Sequence, residues 1–182
     1  MNLSLSTWSL LLGALMLVQG LFALAAPQVA VRLGHGFARH LWTGRLLAAA
    51  AWLWSGWALY VMPLELLEPV RQWIPVLALV AIPLSWWWMP DLLSCRATGG
   101  LLTLFPCPLL HAARVSPSSW RLVLVSLAYV AIVAGMDLIL YPYHLRRALQ
   151  WLTAAPLRLR LVALASAALG AFLIGLALTV LA

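Results

Sequence analysis

Residues 161–182 read LVALASAALGAFLIGLALTVLA, a run with no charged side chain and 11 Leu, Ile, Val or Phe residues. A helix of about 20 apolar residues is long enough to cross the roughly 30 Å hydrocarbon core of a bilayer. Insertion of these side chains is favourable by roughly 3 to 7 kcal/mol, at about 0.3 to 0.6 kcal/mol each. We therefore interpret this run as a membrane-spanning helix.

The composition of the whole chain agrees with this interpretation. Of its 182 residues, 65% are hydrophobic and only 8% are charged, which is too few charges to cover the surface of a soluble domain. All the cations are arginines, and they lie in short stretches between apolar runs, where anionic lipid headgroups surround them. Proteins that bind nucleic acid carry such charge on a hydrophilic domain. We expect the lipid bilayer, and not nucleic acid, to be the partner of this charge.

Five segments are apolar enough to span the membrane, and a sixth is interrupted. The sixth, residues 92–113, contains Arg96, Gly99, Gly100, Pro106 and Pro108, so it is either a broken spanning helix or a re-entrant hairpin. The predicted fold is an all-α, polytopic transmembrane bundle of six helices, or of five if 92–113 is re-entrant. The five clear segments are Trp8–Ala26, Leu41–Met62, Trp73–Met89, Trp120–Tyr141 and Leu161–Ala182.

The distribution of arginines favours six spans. If residues 92–113 span the membrane, eight arginines lie on one side and three on the other; if they turn back, the division is six against five. Cytoplasmic loops carry an excess of Lys and Arg, so the uneven division is the better one. It predicts a multi-pass protein of the bacterial inner membrane with both termini on the non-cytoplasmic side.

The chain also resembles itself at a shift of 115 residues. The shift aligns Gly20 with Gly135, Pro27 with Pro142 and Arg32 with Arg147 without a gap. The repeated unit is a helix, a basic amphipathic connector and a second helix. We therefore divide the chain into a first helix hairpin (1–62), a central helix pair with the interrupted segment (63–119), and a second hairpin (120–182) that is a possible repeat of the first.

The second hairpin carries a recognisable series of short motifs. These are Val133-Ala134-Gly135-Met136, Leu140-Tyr141-Pro142, Arg146-Arg147, Pro156 and Arg160. Residues 120–180, and more faintly residues 8–60, resemble small two-helix inner-membrane proteins of bacteria whose function is uncharacterised. The resemblance implies a bacterial inner membrane and a helix-hairpin unit, and it brings no catalytic residue with it.

Asp137 is the only carboxylate inside a clear span, where an ionisable group is costly and usually faces a partner in the bundle. Arg45 and Arg160, at the inner ends of the second and last helices, are the expected partners in an intramembrane ion pair. A structural ion pair is favoured over a proton or cation relay, because no second intramembrane acid accompanies Asp137.

Aromatic and histidine residues give the candidates for a bound cofactor. Trp52 and Trp54 lie near the middle of a span, where their rings either fill gaps against small residues or line a quinone, pigment or lipid site. Of the four histidines only His111 lies near a span. Their spacing matches no metal or haem site, so we expect no metal and leave the cofactor unknown, with Trp52, Trp54 and His111 as the candidates.

Small residues recur every fourth position along the last span, at Ala163, Ala167, Ala171 and Gly175. Such a stripe lets two membrane helices approach closely, so it is the predicted helix-packing face. No catalytic motif occurs, and we predict that the protein is not an enzyme.

These features favour an accessory or scaffold subunit of a larger bacterial inner-membrane complex, which packs against other subunits through its helices. Two alternatives stay open. One is a small transporter or channel that uses Asp137 and the helix break at 99–108, and the other is a subunit that lines a quinone or pigment pocket.

Overall fold

A computed structural model describes residues 4–62, 68–88 and 93–179, apart from the side chains of residues 35, 38 and 39. About nine tenths of the described residues are helical, and no strand occurs among them. The all-α prediction is therefore confirmed. The helices are α1 (Leu5–Ala25), α2 (Pro27–Arg39), α3 (Leu41–Val61), α4 (Ile74–Trp88), α5 (Leu93–Leu104), α6 (Pro106–Val115), α7 (Arg121–Leu140), α8 (Tyr143–Thr153) and α9 (Pro156–Thr179).

The helix starts follow from local chemistry. Helices α2, α6 and α9 each begin at a proline, which has no N–H to leave unsatisfied in the first turn. The side chain of Ser4 caps α1 by accepting a hydrogen bond from the backbone N–H of Thr7. His40 does the same for α3, where its Nδ1 accepts from the N–H of Thr43.

Four helical stretches are long and apolar enough to cross a membrane: α1, the combined stretch Leu93–Val115, α7 and α9. Helix α4 has 15 described residues, or about 22 Å at 1.5 Å per residue, which is shorter than a span requires. Helix α3 has the length, but Arg45 and four tryptophans lower its hydropathy. Six spans therefore stay a prediction. Three of the predicted segments have one end outside the described residues. These ends are Met89, Leu92 and residues 180–182.

The interrupted segment does not form a hairpin. Residues Leu93–Val115 form one helical stretch of 23 residues, and the backbone of Phe105 keeps right-handed helical angles between α5 and α6. Pro106 takes the first position of α6, where its missing N–H is tolerated. The re-entrant alternative for 92–113 is therefore wrong for the described part of the segment.

The first three helices of the chain and the last three correspond to each other at the 115-residue shift found in the sequence. Helices α7, α8 and α9 begin 115 or 116 residues after α1, α2 and α3, respectively. Corresponding positions also share their burial, since Gly20 and Gly135 are both buried, as are Ala48 and Ala163. Duplication of an ancestral hairpin stays a prediction, and the helix bounds agree with it.

The chain divides into two compact units. Unit 1 comprises Met1–Gly36, Phe105–Ala131 and Arg146–Ala182, and unit 2 comprises Phe37–Leu104 and Ile132–Leu145. Each of the three segments that we drew from the sequence (1–62, 63–119 and 120–182) contributes residues to both units. The three segments are therefore contiguous in the sequence, whereas each unit combines helices that pack together from different parts of the chain.

In unit 1, α1 and α9 run antiparallel in close contact. The backbones meet at Gly13 and Gly170, where a β-carbon built on Gly170 would lie 2.5 Å from the backbone nitrogen of Leu17. The hydroxyl of Ser9 donates to the carbonyl of Leu173 at 2.8 Å, in the middle of this contact. A cluster of buried side chains from α1, α6, α7 and α9 packs beside it: Leu5, Leu109, Ala113, Leu124, Ala128 and Leu173.

In unit 2, α5 packs against both α3 and the second half of α7. A β-carbon on Gly44 of α3 would lie 2.9 Å from the backbone nitrogen of Ser94, so α3 and α5 touch at the backbone. Gly99 meets the carbonyl of Gly135 in the same way on α7. Helix α4 packs on α3 through Ala78, which lies against Gly56.

We expect the substitution Gly170→Ala to destabilise the protein, although alanine favours helix more than glycine by about 1 kcal/mol. The new methyl group collides with the backbone of α1, and such overpacking costs about 1–3 kcal/mol. Gly175→Ala is the matched control, because nothing lies within 4 Å of its β-carbon position. Thermal unfolding in mild detergent measures the difference. Equal melting temperatures for the two variants would contradict the assigned contact.

Candidate functional site

One half of the predicted small-residue face of α9 contacts α1, and the other half is exposed. Ala163 and Ala167 lie against Gly20 of α1, as a packing face should. Ala171 and Gly175 are exposed, and Gly170 takes their place in the contact with α1. An α-helix turns once in 3.6 residues, so a stripe of period four rotates away from a straight neighbour by about 40° per step. The sequence leaves open whether this face packs within the chain or against another chain. Ala163 and Ala167 contact α1, and the packing role of Ala171 and Gly175 stays a prediction.

Asp137 is paired with a histidine that the sequence did not single out. Both oxygens of its carboxylate lie 2.8–2.9 Å from Nδ1 of His144. Helix α7 ends at Leu140 and α8 begins at Tyr143, so a tight corner at Pro142 brings the two side chains together. The rings of the neighbouring tyrosines flank the imidazole, with ring centres 5.3 Å (Tyr141) and 4.5 Å (Tyr143) away.

Arg45, one of the two expected partners of Asp137, has different contacts. Its guanidinium lies over the rings of Trp42 and Trp86, at 5.5 and 5.6 Å from their centres. Stacking of this kind attracts the cation to the ring faces. No ion pair of Arg45 with Asp137 occurs among the described residues, where Asp137 pairs with His144 instead. The pair with Arg160, which belongs to unit 1, stays a prediction.

Unit 2 contains a cavity of about 380 Å³, open on one side, between α3, α4, α5 and α7. Trp52 lines it, as a pocket residue should, and so does Arg96 of α5. Ser55, Ser85 and Thr103 add hydroxyl groups to walls that are otherwise apolar. A cavity of this size with a few polar groups is typical of a small-molecule site. The sequence marked Arg96 as one of the residues that interrupt the segment 92–113 but did not identify it as a site residue, although a cation within an apolar span is a signal of a special position.

The other cofactor candidates are not part of that cavity. Trp54 is half-buried and is absent from its lining, and His111 is an exposed residue of unit 1. Among the described residues no group of three or more His, Cys, Asp or Glu side chains could hold a metal ion.

A second cavity, of about 320 Å³, lies in unit 1 where the amphipathic helices α2 and α8 cover one end of the α1 and α9 pair. Gly34 of α2 touches Leu149 of α8, with 3.1 Å between a β-carbon on the glycine and a methyl group of the leucine. These two residues correspond in the 115-residue shift. The contact places α2 and α8 at the same end of unit 1.

No protein-family model matches the chain, and no curated protein or solved structure matches it either. The function is therefore inferred from the residues and their arrangement.

We expect a double-mutant cycle of Asp137→Ala and His144→Ala to give a coupling energy of about 0.5–1 kcal/mol. The value is modest because the two side chains are 44% and 38% exposed, respectively. The control cycle of Asp137→Ala with Arg45→Ala should be additive within about 0.3–0.5 kcal/mol. Unfolding in mixed micelles measures both cycles. Coupling to Arg45 and none to His144 would contradict the assigned pair.

Proposed function

We propose that the protein is an accessory or scaffold subunit of a larger membrane complex in the bacterial inner membrane. Six spans, with both termini on the non-cytoplasmic side, are part of this proposal. The contact between Gly34 and Leu149 supports it, because the arginine-rich connectors that contain α2 and α8 must lie on one side of the membrane. Reporter fusions after Gly36 and after Ser118 should then report opposite sides.

The observation that carries the proposal is the exposed half of the small-residue face on α9. Ala168, Ala171, Gly175 and Thr179 are all exposed, and a side chain on Gly175 would meet nothing within 4 Å. Interfaces between membrane helices are enriched in such residues, because small side chains let the backbones approach. The same type of surface already joins α9 to α1 on its other side, through Gly170. A helix of another subunit fits this outer face.

The architecture of the described chain also favours an accessory role. Helices follow one another with short connections throughout the described residues, so these leave little room for a catalytic domain outside the membrane. The interrupted segment, which the transporter alternative needs as a helix break, is helical on both sides of Phe105. The accessory role therefore has more support than transport.

We expect the tagged full-length chain, extracted gently and analysed by native mass spectrometry, to carry at least one further membrane protein. Gly175→Leu should release that protein, because the larger side chain blocks the close approach of a helix. Ala14→Leu adds a bulky side chain to an exposed position of α1 and should leave the complex intact. A monomer in every preparation, with a measurable flux in liposomes, would overturn the proposal in favour of a small transporter.

The cavity of unit 2 favours a second candidate function, a subunit that lines a quinone or pigment pocket. The indole of Trp52 offers a flat surface for stacking, and Arg96 and the serine hydroxyls offer hydrogen-bond donors to carbonyl oxygens.

We expect solvent extraction of the purified protein to release a quinone or pigment under this second candidate. Trp52→Leu should remove most of it, whereas Trp57→Leu should not, because Trp57 lies on the same helix but outside the cavity lining. An absorption spectrum and a chromatographic analysis of the extract measure both. Equal yields from the two variants, or no quinone or pigment in the native protein, would exclude this candidate.

A further inference from the structure

The cavity of unit 1 has almost entirely apolar walls. Four helices contribute to them: α1 through Ala23, α2 through Ala30 and Val31, α8 through Leu152, and α9 through Val162. Gly34 and Leu149, which touch each other, close the side formed by α2 and α8. At about 320 Å³ the space falls in the range of small-ligand pockets. Its chemistry suits a hydrocarbon chain and offers little to a polar metabolite.

Exposed arginines lie near the cavity lining on three of these four helices, α2, α8 and α9. Arg32 lies between two lining residues of α2, Val31 and Leu33, and Arg158 and Arg160 stand on either side of the lining residue Leu159 of α9. Helix α8 contributes two further arginines, Arg146 and Arg147. The five exposed arginines at this end are Arg32, Arg146, Arg147, Arg158 and Arg160.

These positive charges have no carboxylate to neutralise them within unit 1. The residue ranges of unit 1 contain no Asp and no Glu, since all four acidic residues of the chain fall in the ranges of unit 2. None of the five arginines forms an ion pair in the described part of the chain. Arg158 instead donates to the carbonyl of Trp151 and lies 4.9 Å from the centre of its ring, which fastens the end of α8 to the start of α9.

We propose that this cavity and the arginines around it form a binding site for an anionic phospholipid. The phosphate is held by Arg32 and Arg147, which correspond in the 115-residue shift and precede Gly34 and Leu149, respectively, by two residues. One acyl chain enters the cavity between the ends of α1 and α9. Basic pockets between membrane helices on the cytoplasmic side are suited to anionic headgroups, and guanidinium groups bind phosphate oxygens in pairs.

The placement of the charge favours a lipid over a free phosphate ion. All five arginines are exposed, so a small ion would compete with water at every one of them. An amphiphile in addition fills the apolar cavity with its acyl chain and gains van der Waals contacts with the cavity walls, which a small ion does not make. The site is therefore specific for a molecule with both parts, and it does not depend on the accessory role proposed above.

The experiment uses the delipidated full-length chain in a neutral detergent, titrated with phosphatidylglycerol and followed by native mass spectrometry. Phosphatidylcholine with the same acyl chains, and inorganic phosphate, are the comparison ligands. We expect phosphatidylglycerol to bind at least about tenfold more tightly than phosphatidylcholine, and inorganic phosphate not to displace it at equal concentration. Equal binding of the two lipids, or displacement by phosphate, would overturn the proposal.

Charge variants test the position of the headgroup. An arginine near an anionic lipid contributes about a fivefold change in affinity, so Arg147→Gln should weaken binding about fivefold and Arg32→Gln with Arg147→Gln about 25-fold. Arg114→Gln removes the same charge from an exposed position on α6 of unit 1 and should change binding less than twofold. Circular dichroism confirms that each variant is folded. Equal losses for Arg147→Gln and Arg114→Gln would show a diffuse electrostatic attraction and overturn the site.

A cavity variant tests the position of the acyl chain. Ala30→Phe fills the cavity from α2 and should weaken phosphatidylglycerol binding about tenfold, because the ring takes the space in which the acyl chain packs. Val29→Phe adds a ring to the neighbouring exposed position, outside the lining, and is the matched control. If both variants bind the lipid like the native protein, the chain does not enter the cavity and the proposal fails.

Discussion

Contact between helix backbones at glycine is the interaction on which this structure depends. Apolar side chains gain little from leaving lipid for another helix, so association in a membrane depends on close packing and on hydrogen bonds between helices. Gly13, Gly20 and Gly170 bring α1 and α9 so close that a methyl group does not fit at the contact. The bond from Ser9 to the carbonyl of Leu173 follows from that approach, because a serine side chain is too short to cross a wider interface. Unit 2 uses the same device at Gly99 and Gly135.

The two units use this device differently. In unit 1, Gly20 of α1 lies directly against Ala163 of α9. The corresponding residues of unit 2, Gly135 and Ala48, both contact α5. This helix comes from the interrupted segment, which has no counterpart in the repeat, and it brings Arg96 and Thr103 to the cavity of unit 2. Helix α5 thus contributes polar groups to a cavity beside the contact that it makes with α3 and α7.

The contacts of the polar residues between helices could not be derived from the sequence. Asp137 was rightly singled out as a carboxylate in an apolar helix, because that observation needs only the local sequence. Its contact with His144 forms because the chain turns at Pro142, and the hydrophobic periodicity of the sequence does not predict how sharp that turn is. Arg45 illustrates the same limit, since the stacking on Trp86 requires α3 and α4 to pack at one particular register. The small residues of α9 recur every four positions, whereas the helix turns once in 3.6 residues. Successive members of the stripe therefore rotate away from α1.

What the amino-acid sequence determined is the environment and the local structure of the chain. Apolar runs, prolines at helix starts and the spacing of arginines follow from hydrophobicity and backbone chemistry, which act within a few residues of each other. Tertiary structure alone decided which small residues become contacts, which partner Asp137 takes, and where cavities remain. These depend on the register and rotation of whole helices, so displacing a helix by one residue would turn Gly170 or Gly99 away from its neighbour and leave the same composition and hydropathy.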